Sequence, residues 1–212
     1  MLVCAAVAAG ISAGLGDNPG LLTWIREDGP VEWLTVLGLL LCVILCFRRA
    51  VSPGKLRPAL FRWFAVLFGV VFLFGAGEEV SWGQRLFGLQ TPEWFTEHNQ
   101  QSEINLHNLE VFGIELTKLL FGKILVLALT IYLLVLPLMY SRKRRFRQFA
   151  DLYGIPVARP RQVIIFLILA AAIHLPEIRG RESELFEFAA VFMVFLIFLN
   201  PLNRTAFNHY AG

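Results

Sequence analysis

An all-α, polytopic transmembrane helical bundle is the fold this sequence predicts, on three observations. Apolar runs are long, polar stretches between them are short, and charges gather in those stretches instead of mixing through the chain. Of the 212 residues 57% are hydrophobic and the mean hydropathy is +0.62; a soluble domain is about half apolar and intersperses its charges. Runs of about 15–22 residues suit helices that cross a hydrocarbon core about 30 Å thick. A closed barrel, the other spanning architecture, needs strands of about ten residues with alternating polarity, and Leu119–Tyr140 does not alternate.

Six spans follow in order: 2–16, 31–47, 61–77, 119–140, 163–177 and 185–202, in a single integral membrane domain over 1–212. The first, MLVCAAVAAGISAGLG, is short and rich in small residues. It reads as a retained span or as a signal peptide with a small-residue site near Ala13, although it lacks a basic leading region. Cys4, Cys42 and Cys46 fall inside spans and read as small packing residues, with no disulfide framework implied. No internal repeat is present, and loop 78–118 is expected to be partly helical and packed over the bundle, anchored by Leu86-Phe87-Gly88-Leu89 and Trp94-Phe95.

Orientation follows from lysine and arginine. Arg48, Arg49, Lys55, Arg57 and Arg62 follow the second span. Arg142, Lys143, Arg144, Arg145, Arg147, Arg159 and Arg161 follow the fourth, and Arg204 lies in the tail. These are 13 of the 19 basic residues, and they share their side with one acid, Asp151, of the 16 in the chain. The bias puts both termini in the cytoplasm and loop 78–118 on the far side, the periplasm. The cluster at 142–147 directly follows a span, so its expected partners are anionic lipid headgroups, not nucleic acid.

The chemistry-bearing residues gather on the opposite side. Acids near hydrocarbon are expensive unless paired, so Glu32, Glu79 and Glu187, each near the outer end of a different span, ask for a reason. His174 and Arg85 stand at a similar level. In the loop, Glu103, His107 and Glu110 are spaced i, i+4 and i+7; over a helix at 103–112 they would line one face. A carboxylate–imidazole–carboxylate stripe suits a divalent metal with mixed nitrogen and oxygen ligands, or a histidine base oriented by an acid. The metal set on this reading is Glu79, Glu103, His107, Glu110, His174 and Glu187, with zinc, manganese or iron as the ion; a heme held by His107 and His174 is a variant. His107, Glu79 and Glu187 are the expected catalytic groups. Arg85 would orient an anionic headgroup, and Asn105 and Asn108 would hold substrate oxygens. Against this stands helix-dipole complementation, which accounts for Glu27, Asp28, Glu182 and Glu184 at helix starts. It does not account for Glu78-Glu79 at the end of a span, where the dipole opposes them.

The strings EDGPVEWLT, GEEVSWGQRLFGLQTPEWF and NQQSEINLHN, with the RESELFEF turn, resemble a family of bacterial polytopic inner-membrane proteins of uncharacterised activity. A looser similarity to the membrane hydrolases that include alkaline ceramidases and adiponectin receptors implies zinc near one membrane face. Those enzymes carry a paired HxxxH on a late helix, whereas the late histidines here are His174 and His209. The expected function is a metal-assisted or acid–base hydrolase or transferase acting on a lipid or lipid-linked substrate. The alternative is a non-catalytic subunit, or a small transporter, that docks a partner through loop 78–118.

Overall fold

A computed structural model describes residues 7–9, 29–51, 58–106, 108–116, 123–174 and 182–208. Most of the expected first span, together with His107 and His209, lies outside the described residues. Helix α1 (Pro30–Val51) opens on a proline at its first position, with Glu32 in its first turn and Arg48 and Arg49 in its last. The proline pre-sets φ, and the charges complement the helix dipole at both ends. Helix α2 (Ala59–Glu79) begins after Pro58. A 3₁₀ turn (Ser81–Gly83), α3 (Gln84–Phe87), α4 (Glu93–His98) and the hairpin β1 (Glu110–Val111) and β2 (Ile114–Glu115) make up the loop region. Then come α5 (Leu125–Arg142), α6 (Arg144–Leu152), α7 (Pro160–His174), α8 (Glu182–Leu199) and α9 (Thr205–Asn208).

Among the described residues α1, α2 and α5 are long and apolar enough to cross a membrane. Helix α7 has 15 residues, about 22 Å at 1.5 Å per residue. The 18 residues of α8 are apolar after the first turns, which carry Glu182, Glu184 and Glu187. Large apolar side chains cover the outward faces of these helices, Ile44, Trp63, Leu67, Val71, Leu127 and Ile168 among them. A soluble monomer does not leave so broad a surface in water; a bilayer makes it the favourable one.

Helix α8 is the axis of the packing. Its Leu185, Ala189 and Ile197 are fully buried and share a core with Val31 of α1, Leu129 and Leu133 of α5, and Phe166, Leu169 and Ile173 of α7. Gly38 is where α1 meets α8: a Cβ there would lie 2.7 Å from Val191 Cγ1. Helix α5 contains a π-helical turn at Ile131–Val135. Pro137 explains it, because proline offers no N–H to the carbonyl four residues back and the ladder widens.

At the basic end Asn203 ties the chain together. Its Oδ1 accepts from Val157 N at 3.0 Å, and its Nδ2 donates to Asp151 Oδ1 and to Ile155 O, each at 3.0 Å. The acidic end is where helix α1 begins, α2 ends and α8 begins, and there the loop region is seated.

Candidate functional site

The loop after α2 folds because short polar side chains replace regular secondary structure as hydrogen-bond partners. Asn99 Oδ1 accepts from Gln101 N at 2.9 Å and Glu103 N at 3.0 Å, the local capture that makes asparagine a turn former. Asn99 Nδ2 donates to Asn105 Oδ1 at 2.9 Å. Asn105 Nδ2 donates to Ser81 Oγ at 2.9 Å and Glu103 Oε2 at 2.8 Å, and Ser81 Oγ–H donates to the same Glu103 oxygen at 2.6 Å. All four side chains are buried, so each needs these partners. Two more bonds fasten the loop to the helix end: Ile104 N donates to Gln84 Oε1 at 2.6 Å and Leu106 N to Glu78 Oε2 at 2.6 Å.

The turn beneath is strained. Ser81, Trp82 and Gly83 have φ of 48°, 54° and 78°; left-handed backbone costs about 1–2 kcal/mol for each residue with a Cβ. Trp82 is held there by its Nε1–H, which donates to Glu78 Oε1 at 2.8 Å. Its ring lies across Gly77, where a Cβ would be 2.9 Å from Trp82 Cε3. Strain of this kind collects where the fold must present a particular geometry. Here it turns the chain sharply off the end of α2 and over the helix starts beside it.

The result is a cavity of about 40 Å³ lined by Glu32 of α1, Glu78 and Glu79 of α2, Glu184 and Glu187 of α8, and Arg85, Gln101, Glu103, Asn105 and Asn108 of the loop region. That is room for about three waters or the charged end of a larger molecule. Arg85 is the cationic side chain in this lining, with its guanidinium 3.3 Å from Glu103 Oε1 and 3.9 Å from Glu32 Oε1. Carboxylates therefore dominate the cavity, with most of Arg85's charge spent on two of them.

The expected site residues divide. Glu79, Glu187, Glu103, Arg85, Asn105 and Asn108 come together around this one cavity. His174 does not join them: it lies at the outer end of a separate apolar cavity, its ring centroid 5.2 Å from that of Phe186. Glu110 is exposed on the hairpin and accepts from Gln100 Nε2 at 3.3 Å. His107 lies outside the described residues. The helix expected over 103–112 is not formed; bends precede Asn108 and a two-stranded hairpin follows. Asn108 N, which a helix would bond to the carbonyl four residues back, donates instead to Asn105 Oδ1 at 3.1 Å, and Gly113, at φ 73°, makes the hairpin turn. Asn105 uses its carboxamide within the loop framework rather than offering it outward. Asn108 Nδ2 donates to Gln101 Oε1 at 2.8 Å.

Sequence reasoning did not single out Ser81 or Asn99, the two side chains on which the loop hangs. Asn99 stands four residues before Glu103, the spacing of a side-chain-capped turn, and that was the available signal. Among the described residues no three His, Cys, Asp or Glu side chains are arranged to hold a metal ion. The described lining can move protons and attract cations. No protein-family model, curated protein or solved structure matches the chain.

Proposed function

We propose that this chain is a multi-pass protein of a bacterial inner membrane, with six spans, both termini cytoplasmic and the acid-lined cavity facing the periplasm. There it acts by acid–base chemistry as a hydrolase or transferase on a lipid or lipid-linked substrate. The observation that carries the reading is the convergence of carboxylates from α1, α2 and α8 on one cavity, roofed by a hydrogen-bonded loop. Glu79 and Glu187 are the working pair: neither uses its carboxylate in the framework that holds the loop, unlike Glu78 and Glu103. One would take the proton of an attacking water or hydroxyl, and the other would give a proton to the departing oxygen or nitrogen.

Lipid profiles of membranes from cells expressing the wild type, Glu79→Gln and Glu187→Gln test this. The expected result is a lipid species consumed by the wild type and spared by both variants, at equal expression. Variants that alter the profile as the wild type does would remove the catalytic assignment. Metal content of purified protein separates a second chemistry: a stoichiometric divalent ion lost in His107→Ala would make the reaction metal-assisted. For orientation, reporter fusions at Pro53 and Tyr153 should report cytoplasm, and fusions at Thr91 and Gly180 periplasm.

A non-catalytic docking role has one observation in its favour. Leu86, Phe87 and Phe112 are largely exposed on the loop region, Phe112 completely. Wild-type protein that leaves every lipid unchanged while retaining a bound periplasmic protein would support that reading instead.

A further inference from the structure

Between α5, α7 and α8 lies a second cavity, of about 220 Å³, whose walls are Leu129, Leu133 and Leu134 on one side and Phe166, Leu167 and Ala170 on the other. It is apolar throughout except for Thr130 and, at its outer end, His174. The Thr130 hydroxyl donates to Val126 O at 2.7 Å and is satisfied within its own helix. The π-helical turn of α5 borders the space, and π-bulges recur at functional sites.

Length and depth identify what fits. The lining runs from Val126 to Leu134 along α5 and from Phe166 to His174 along α7. Either stretch covers about 12 Å at 1.5 Å per residue, somewhat less than half of a hydrocarbon core about 30 Å thick. The cleft thus occupies the leaflet on the acidic side and stops near the bilayer centre. Leu134 and Leu167, both exposed, form its lips toward the surrounding lipid. At the outer end the two cavities flank the first turns of α8: Phe186 lines the apolar one and the adjacent Glu187 the acidic one.

We propose that this cleft holds the hydrocarbon chain of a lipid from that leaflet, whose polar end reaches the acid-lined cavity and bears an amine in place of a phosphate. The chain assignment stands on the cleft alone. The polar end rests on the proposed function and on charge: six carboxylates and one guanidinium, itself engaged by Glu32 and Glu103, repel a phosphate and attract an ammonium.

Two single-chain photoprobes test this in nanodiscs, identical in a diazirine-bearing alkyl chain and ending in a primary amine or in a phosphate. The expected result is labelling of α5 and α7 at the cleft, several-fold stronger for the amine probe. Leu134→Trp combined with Leu167→Trp, both at exposed lips and so compatible with folding, should abolish cleft labelling. Labelling that the plug leaves unchanged, or that is equal at Leu67 and Val71 on the outer face of α2, would show ordinary boundary lipid and overturn the chain assignment. Glu79→Gln with Glu187→Gln should reduce the amine preference while cleft labelling persists, because four of the six carboxylates remain. An equal preference for phosphate, or an amine preference untouched by these changes, would overturn the polar end and leave the chain site in place.

Discussion

Asn105→Ala is the sharpest test of how the loop is held over the cavity. The side chain is 4% exposed and takes part in four strong hydrogen bonds within the framework: to Ser81 and Glu103 as donor, from Asn99 Nδ2 and from Asn108 N as acceptor. Each contributes about 0.5–1.5 kcal/mol net. Truncation also leaves Asn99 Nδ2 with its 3.1 Å bond to the main-chain Asn105 O but without the 2.9 Å bond to Oδ1. Because neighbouring effects are not additive, about 3 kcal/mol is the expected loss, falling on the loop and not on the bundle.

A local loss of that size raises the population of the open loop about 10²-fold at 1.4 kcal/mol per decade. Hydrogen exchange in detergent reads it directly, since the amides of Glu103, Ile104 and Leu106 are bonded to side chains that only the closed loop brings near. Those amides should exchange about 10²-fold faster in Asn105→Ala, while amides of α1 and α8 keep their rates. Asn108→Ala is the control, because its half-buried side chain makes one bond to an exposed glutamine and should change exchange little. Unaltered protection at Glu103 and Leu106 in Asn105→Ala would refute the account of the loop as a framework organised by Asn99 and Asn105.

Other positions give simpler readouts. Gly38→Leu should lower thermal stability in detergent by about 1–3 kcal/mol as overpacking, because even its Cβ would press on Val191; unchanged melting would mean α1 and α8 do not meet there. Gly154→Ala combines a left-handed φ of 61° with a Cβ 2.5 Å from the Phe61 ring, so it should destabilise by more than the about 1–2 kcal/mol that φ alone brings, and a mild effect would place Phe61 elsewhere. Asn203→Ala strands the buried Val157 N–H and should cost about 1–3 kcal/mol, measured as a lower melting temperature with α7 and α8 loosened in exchange experiments.

The helices were legible because their signals are local. Continuous apolar runs place the ends of α1, α2, α7 and α8 within a few residues of where they lie, and most of α5 inside the expected 119–140. The meeting of Glu79 with Glu187 was legible for a coarser reason: one ends α2 and the other stands near the start of α8, at the same end of antiparallel helices. That reasoning fixes depth but not direction, and so it grouped His174 with them although α8 stands between. The stripe Glu103–His107–Glu110 failed for another cause. Its helical spacing is genuine, but Leu106 N bonds to a carboxylate 28 residues earlier in the chain and Ile104 N to a carboxamide 20 residues earlier. Periodicity within the segment carries no trace of such partners.

Adjacent glutamates at the end of α2 bring these threads to a single comparison. Both sit at the negative end of the helix dipole, which disfavours each by about 0.3–1 kcal/mol. Glu78 is compensated: Oε1 accepts from Trp82 Nε1 and Oε2 from Leu106 N. Glutamine there keeps one acceptor and turns an NH₂ toward the other donor, so Glu78→Gln should destabilise the loop by about 1–3 kcal/mol and accelerate exchange at Leu106. Glu79 instead faces the cavity among Glu32, Glu184 and Glu187, where amide for carboxylate relieves repulsion and leaves the loop's framework intact. Glu79→Gln should therefore melt no lower than the wild type, and higher if the crowding is felt. The two variants differ by one position and by no change of shape. If Glu79→Gln unfolded the loop as Glu78→Gln does, Glu79 would be part of the scaffold, and its place at the centre of the proposed chemistry would be lost.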